Sequence, residues 1–384
     1  ITKIGSGNLT LGGANTFTGG FNLNTGSLTL TNSGALGTGT LTTGAGTSLI
    51  AGTNLTLANA IVMGGAFTLD TAANTVTLNG VVSGTGPLGK IGSGNLVLNA
   101  ANSYTGGTAL NAGTITVTNN ASLGTGALAM AGGTTLTSTA NIAGGAAQNI
   151  ALANAISTAG VGTINTGTGL TIILDGTITG AGSIAKTGNG LLVLNGANSY
   201  SGGTSLGAGT LRAGNSLALG TGALSASAGT ILQAGNAGVT LANAIAMAGG
   251  MTVDVNGRVF GLGGTISGTG PLNVIDSAAA MGDALVLSGT NTYTGGTVAT
   301  GTTVQVSSDA NLGNAAGSVT LNAAALRTTA SFTSARNITL GEGGGSLLVD
   351  VGTRLTLTGV ISGTSLTKNS GELVLSGANT YTGG

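Results

Sequence analysis

The chain has 384 residues, with 76 Gly, four Tyr, five Phe and no Trp, too little aromatic bulk to fill a deep globular core. Nine Lys and Arg balance nine Asp and Glu, and charged residues are 5% of the chain, which excludes a basic footprint for nucleic acid or an anionic membrane surface. His and Cys are absent, so imidazole acid–base chemistry, thiol nucleophiles, disulfides and the usual zinc sites are excluded too.

In chain order, the opening Ile1-Thr2-Lys3-Ile4-Gly5-Ser6-Gly7-Asn8-Leu9-Thr10-Leu11 ends on apolar residues at every second place, the period of a half-buried strand. Next comes Asn15-Thr16-Phe17-Thr18-Gly19-Gly20. Variants of this hexapeptide begin at Asn102, Asn198, Asn291 and Asn379, at spacings of 87, 96, 93 and 88 residues. Its third place is held by Phe17, Tyr104, Tyr200, Tyr293 and Tyr381, so every tyrosine is used there. The period divides the chain into four repeats of about 91 residues, approximately 1–88, 89–184, 185–277 and 278–366, with the start of a fifth to 384. One continuous solenoid is expected. Because the chain lacks an initiating Met and starts and stops in one phase of the repeat, it is expected to be a fragment of a longer array.

Lys3, Lys90 and Lys186 each stand twelve residues before their Asn and Lys368 eleven, whereas the fourth copy has no lysine in this register. After each of the first four hexapeptides a Leu-Gly pair follows at Leu36, Leu123, Leu219 and Leu312, 21 residues beyond the Asn. Length variation falls after this point, at corners where a longer loop leaves stacked strands in register. Later strands carry Asp70, Asn165, Asp254 and Asp350 in common register, and Asp254 with Arg258 and Asp350 with Arg354 read as i, i+4 ion pairs over a turn. Pro87 and Pro271 share the last corner, where a missing donor costs least. No segment has a capped 3.6-residue period; Ser277–Met281 is the nearest, as a short helical turn. The whole predicts coils of about 20 residues, two or three strands to a coil and four coils to a repeat.

The hexapeptide reads as a structural corner. Asn bonds neighbouring amides, paired Gly permits a sharp bend and close approach of coils, and Tyr supplies a ring with a hydroxyl that reaches a local partner. The structural repeat positions are therefore Asn15, Phe17, Asn102, Tyr104, Asn198, Tyr200, Asn291, Tyr293, Asn379 and Tyr381, with no catalytic, cofactor or metal residues assigned. The lysines read as exposed side chains that guard strands against wrong pairing. Leu9, Leu11, Leu96, Leu98, Leu192, Leu194, Leu285, Leu287, Leu373 and Leu375 are expected in one apolar core. Two-carboxylate chemistry needs groups about 5–9.5 Å apart, and the repeating aspartates are too far apart for it. The irregular junction bearing Asp276 and Asp283 is the one candidate site. Gly84-Thr85-Gly86-Pro87-Leu88-Gly89 fits a dinucleotide-binding string, but no helix follows it.

The pattern from Lys90 to Thr108, through Leu96, Leu98, Asn102, Tyr104, Gly106 and Gly107, resembles the autotransporter-associated β-strand repeat of Gram-negative surface proteins. The resemblance extends along the chain through five copies. It implies an all-β fold, a right-handed parallel β-helix with essentially no α-helix, exported to the cell surface and held by an outer-membrane anchor outside these residues. It also implies a structural or adhesive rod or fibre with roles in adhesion, aggregation, biofilm or spacing. Partners would be other copies, a host or neighbouring cell surface, or an extracellular glycan, without cofactors, nucleic acid or membrane insertion of the chain itself. The alternative is a β-helix that binds or degrades polysaccharide. It would need carboxylates, Arg or exposed aromatics clustered on adjacent coils.

Overall fold

A computed structural model of the chain describes residues 1–139 and 149–383. It is an all-β solenoid of about 17 stacked parallel coils. A coil is built from three short straight segments joined by turns, as in Phe67–Asp70, Thr75–Leu78 and Val82–Gly84, followed by Leu88–Ile91 and Asn95–Leu98 directly beside the first two. Strands of two to five residues suffice because each need bury only alternate side chains, and neighbouring coils supply the strands' hydrogen bonds.

The backbone forms two compact units, Ile1–Leu192 with Asn198–Gly202, and Val193–Ala197 with Gly203–Gly384. In the first, strands starting at Thr2, Phe21, Leu41, Ile61 and Val82 make one sheet. Those starting at Asn8, Ser27, Thr47, Phe67 and Leu88 begin a second. Those from Leu55 through Thr75, Asn95 and Thr114 make a third. In the second unit the corresponding ladders run from Thr204 to Gly268, from Thr210 to Gly363 and from Thr240 to Asn369. The segment Ser277–Met281 is turn and irregular backbone, not helix, because the Asp276 carboxylate ties up the amides of Gly257, Ala278 and Ala280. The one helical element among the described residues is a 3₁₀ turn at Asp309–Leu312.

The repeat does not contain a whole number of coils. Eleven strands separate each hexapeptide from the next among the described residues. The hexapeptide and the Leu-Gly loop each take the place of a strand without regular strand structure, the loop as a turn. Thirteen segments at three to a coil make about 4⅓ coils, so each copy should fall one face further round. Inside the first unit it does. The copy at Asn15 shares a face with strand Leu55–Leu57, since Asn15 N bonds Gly34 O (3.0 Å) and Thr56 N bonds Ser33 Oγ (2.9 Å). The copy at Asn102 stacks on Val82–Gly84 in the next sheet, through Ser103 N to Val82 O (3.0 Å). Inside the second unit, Thr292 bonds Ile266 (2.8 Å) and Thr380 bonds Ile361 (2.8 Å), which again lie in different sheets.

Of the leucines expected inside, Leu96, Leu98, Leu192, Leu194, Leu285 and Leu287 are buried, each contributing about 1.5–3 kcal/mol of transfer free energy. Leu9, Leu11, Leu373 and Leu375 are half-buried. Their strands, Asn8–Leu11 and Glu372–Leu375, have a neighbouring coil on one side in this structure.

Candidate functional site

The corner at residues 102–107 shows what the repeated residues do. Its backbone bonds the coil before it, Thr105 N to Gly84 O (3.0 Å), and the coil after it, Thr125 N to Tyr104 O (3.0 Å). Asn102 is 5% exposed, and its side chain joins the same two coils. Oδ1 accepts from Val82 N (2.8 Å) and Nδ2 donates to Ser122 O (2.6 Å). Asn291 repeats the clip with Ile266 N (2.7 Å) and Asn311 O (2.6 Å). Asn198 accepts from Ile178 N (2.7 Å), Asn379 accepts from Ile361 N (2.8 Å), and Asn15 donates to Ala35 O (2.8 Å).

Tyr104, Tyr200 and Tyr293 are fully buried. The hydroxyls of Tyr104 and Tyr293 share hydrogen bonds with Thr108 (2.6 Å) and Thr297 (2.7 Å), four residues on. Burial pushes both phenols up to about 12, opposed by these hydrogen bonds and, for Tyr293, by Arg336 as well. Phe17 and Tyr381 are half-buried, and the place four residues after Phe17 holds Phe21, so the first copy lacks both hydroxyls of the pair. Gly124 of the Leu-Gly loop lies against this ring: a Cβ there would meet the Tyr104 ring at 3.1 Å, and φ is +61°. The fixed spacing of 21 residues is thus one coil plus one residue, the distance that seats this glycine on the aromatic ring. The last residue of the fifth hexapeptide, Gly384, lies outside the described residues.

Two of the four lysines are not exposed strand guards. Lys90 and Lys186 are fully buried. Lys90 Nζ donates to Ile91 O (3.0 Å), Gly92 O (2.8 Å) and, one coil on, Ala112 O (3.0 Å). Lys186 Nζ donates to Thr187 O (3.0 Å) and Gly188 O (2.6 Å), and Lys3 Nζ reaches Ile4 O, Gly5 O and Thr25 O at 2.5–3.2 Å. Lys368, exposed, donates to Gly371 O (2.6 Å). The ammonium gathers carbonyls that a tight turn leaves pointing inward. Burial holds the Lys90 and Lys186 amines down to about 8, with Asp70 opposing this at Lys90.

A second clip was not anticipated. In Leu57-Ala58-Asn59-Ala60-Ile61, the Asn59 amide donates to Gly37 O (3.1 Å) and Gly39 O (2.7 Å) of the preceding Leu-Gly loop. Asn154 does the same to Gly124 and Gly126, and Asn243 to Gly220 and Gly222. The recurrence of Leu-Ala-Asn-Ala-Ile at 57–61, 152–156 and 241–245 was the signal for it. In the fourth repeat the loop is two residues longer, Gly313 to Gly317, and Arg336 takes the asparagine's place. It is 3% exposed; its guanidinium reaches Gly313 O (2.7 Å), Asn314 O (2.5 Å) and Gly317 O (3.1 Å), and pairs with Asp309 at 2.8 Å.

The i, i+4 ion pairs do not form. The Asp350 carboxylate is held below its usual range by hydrogen bonds from Arg327, at 2.9 and 3.1 Å, and Arg354 pairs with Glu372 (2.8 Å). Asp254 accepts from Gln233 Nε2 (2.6 Å), Ser277 Oγ (2.7 Å) and the amides of Asn256 and Ser277, while Arg258 bonds Asn256 O (2.5 Å). Backbone amides take the Asp254 carboxylate, and Arg327 of the coil before takes that of Asp350, so neither is left for the guanidinium four residues on. Asp276 and Asp283 have separate roles. Asp276 organises its own loop, whereas Asp283 accepts from Thr302 on the next coil. Among the described residues no three acidic side chains converge as a metal site would require.

The family model described as the passenger-associated-transport-repeat matches residues 1–33, 88–117, 184–213, 283–306 and 366–384. Over 144 residues the chain is 40% identical to the adhesin BmaC autotransporter of Brucella suis biovar 1 (strain 1330), a stretch covering 35% of this chain and 4% of that protein. The chain thus spans a small part of that relative's length. No solved structure matches it. The fourth match begins at residue 283, beyond the strand that has lost its lysine, and the other four contain the lysine, so the matched segment is the lysine turn and asparagine corner described above. Five segments of the chain, one around each hexapeptide, thus match the passenger-associated-transport-repeat.

Proposed function

We propose that these residues form a length of the extracellular passenger of a bacterial autotransporter adhesin, working as a non-catalytic scaffold that presents or spaces adhesive parts at the cell surface. The observation that carries this reading is the use to which the repeated residues are put. Asn, Tyr and Lys, which elsewhere bind or catalyse, are consumed here in joining one coil to the next. The two aspartates of the candidate junction have separate work: Asp276 holds its loop and Asp283 accepts from Thr302 on the next coil. Attachment would be through an outer-membrane anchor beyond these residues. Adhesion, aggregation or biofilm formation would involve other copies, another cell surface or an extracellular glycan.

The test is an in-frame deletion of these residues from the parent gene, with an epitope placed beside the deletion. On intact cells the epitope of the undeleted protein should be accessible to antibody and to added protease, and the deletion should reduce cell settling or surface attachment. An epitope reached only after cell lysis would overturn the reading.

A further inference from the structure

The fourth repeat departs from the others at one turn. In the other copies the residue before the strand is Gly7, Gly94, Gly190 or Gly371, and here it is Asp283. One coil on, Gly26, Gly113 and Gly209 are replaced by Thr302. Upstream, Val274 stands at the place of Lys90, in a strand that runs Leu-x-x-Ile in both cases. Beside this turn lies a polar recess of about 330 Å³, lined by the turns that lead into strands Thr303–Val306, Ala324–Thr328, Gly345–Val349 and Leu366–Asn369. Asp283 is 8% exposed and faces the recess. Its Oδ2 accepts from Thr302 Oγ1, and among the described residues its Oδ1 has no hydrogen-bond partner. No cation pairs with it within 4 Å, and no basic residue lines the recess. Arg258, on the coil before, turns instead onto Asn256 O (2.5 Å).

The Asp283 carboxylate thus offers the recess a free acceptor and a negative charge that no side chain neutralises by direct contact. In the first and second repeats a lysine ammonium sits at this turn, donating to Thr25 O (3.2 Å) or Ala112 O (3.0 Å), the carbonyls just before the glycines that Thr302 replaces. In the fourth repeat that ammonium is absent, and a carboxylate stands beside the recess. The hydroxyls of Thr303, Ser346, Ser365 and Thr367 around the opening suit a polyhydroxylated ligand better than the bare methylene stem of a lysine, which favours apolar surface.

We propose that this recess binds an amino sugar with a free amine, its ammonium on Asp283 Oδ1 and its hydroxyls on the Ser and Thr lining. The site is independent of where the chain is displayed, so its failure would leave the passenger reading untouched.

The experiment is titration calorimetry of the 384-residue chain at about pH 6, where a sugar amine is protonated. The probes are a glucosamine trimer, the N-acetylated trimer and trilysine. The glucosamine trimer should bind at one site, and both N-acetylation and Asp283→Asn should weaken it by about tenfold or more, as expected for one charge-assisted hydrogen bond. Asp283→Gly, the residue of the other repeats, should bind as weakly, and Asp283→Asn, whose amide oxygen can still accept from Thr302, should keep the parent's thermal unfolding midpoint. Equal binding of the acetylated trimer, undiminished binding by Asp283→Asn, or no heat with millimolar glucosamine trimer would overturn the proposal. Trilysine binding as tightly as the sugar would overturn the assignment to a glycan.

Discussion

Asn102→Ala removes one side chain that joins three consecutive coils, and its consequence can be worked out from the structure. Val82 N and Ser122 O lose their partners, at 2.8 and 2.6 Å, and both sites are buried. A typical hydrogen bond contributes about 0.5–1.5 kcal/mol net, and a buried group left without a partner costs about 1–3 kcal/mol. With some relaxation or water entry, the loss should be roughly 2–4 kcal/mol. Asn15→Ala is the internal control: that side chain makes one bond, to Ala35 O at 2.8 Å, and is half-buried, so its loss should be about 1 kcal/mol. Asn102→Asp should be at least as damaging as Asn102→Ala, because a carboxylate can accept from Val82 N but cannot donate to Ser122 O. Solenoid coils can open locally and long arrays need not unfold in one step, so hydrogen exchange is the assay to trust. The Val82 amide should lose protection by a factor of about 30 or more, with a smaller effect spreading through residues 82–122. Val82 protection unchanged in Asn102→Ala, or an equal loss at the Asn15 corner, would show that the clip is a passive contact and refute the reasoning.

Tyr104→Phe should cost about 1 kcal/mol by leaving the buried Thr108 hydroxyl without its 2.6 Å partner, while Tyr104→Phe with Thr108→Val should recover most of it, as measured by urea unfolding. Stability should depend on pH in two opposed stages, followed by denaturant midpoint. Lys90 and Lys186 titrate near 8 when folded and near 10.5 when unfolded, so the unfolded chain holds more protons between these values and stability should rise with pH by on the order of 1–3 kcal/mol per lysine. Tyr104 and Tyr293 titrate near 12 when folded and near 10 when unfolded, so the folded chain holds more protons there and stability should fall above pH 10; Lys90→Met with Lys186→Met should flatten the rise alone. Arg336→Asn should destabilise the fourth repeat by about 2–4 kcal/mol, because the shorter side chain cannot reach across Gly313 to Gly317 or pair with Asp309. Deleting Ala315 and Ala316 in that variant should restore much of the loss, and absence of rescue would separate the long loop from the arginine.

Alternation at Leu96 and Leu98 named a strand and its inward face, and the hexapeptide named the repeat, because both are properties of residues close together in sequence. The clip partners of Asn102 lie 20 residues before and after it, one coil each way, so their identity waits on the coil length. The coil length was estimated well but the number of coils per repeat was not. The hexapeptide and the Leu-Gly loop occupy strand places with no alternating pattern, the loop as a turn, and without counting them the total of thirteen cannot be reached. Lys90 misled for a related reason. A lone lysine on a polar strand is usually solvated, and only the folded turn shows three carbonyls converging on its Nζ.

The total matters physically. Thirteen is not a multiple of three, so within each compact unit successive asparagine corners occupy different sheets. With twelve segments to a repeat, every corner, each lacking a regular strand, would fall in one sheet, and the ladder on that face would be interrupted every fourth coil. With thirteen, an interruption in one sheet is flanked by unbroken strands in the other two. The Val82–Gly84 strand and the corner at Asn102 stack beside the intact pairing of Thr75–Leu78 with Asn95–Leu98 and of Phe67–Asp70 with Leu88–Ile91. Each corner is thereby held by its own side-chain clip and by two continuous sheets around it. Inserting one extra three-to-five-residue segment into a repeat would therefore do more than lengthen a coil. It would move the next corner onto a different face, where the carbonyls and amides that Asn102 bridges would no longer be in place.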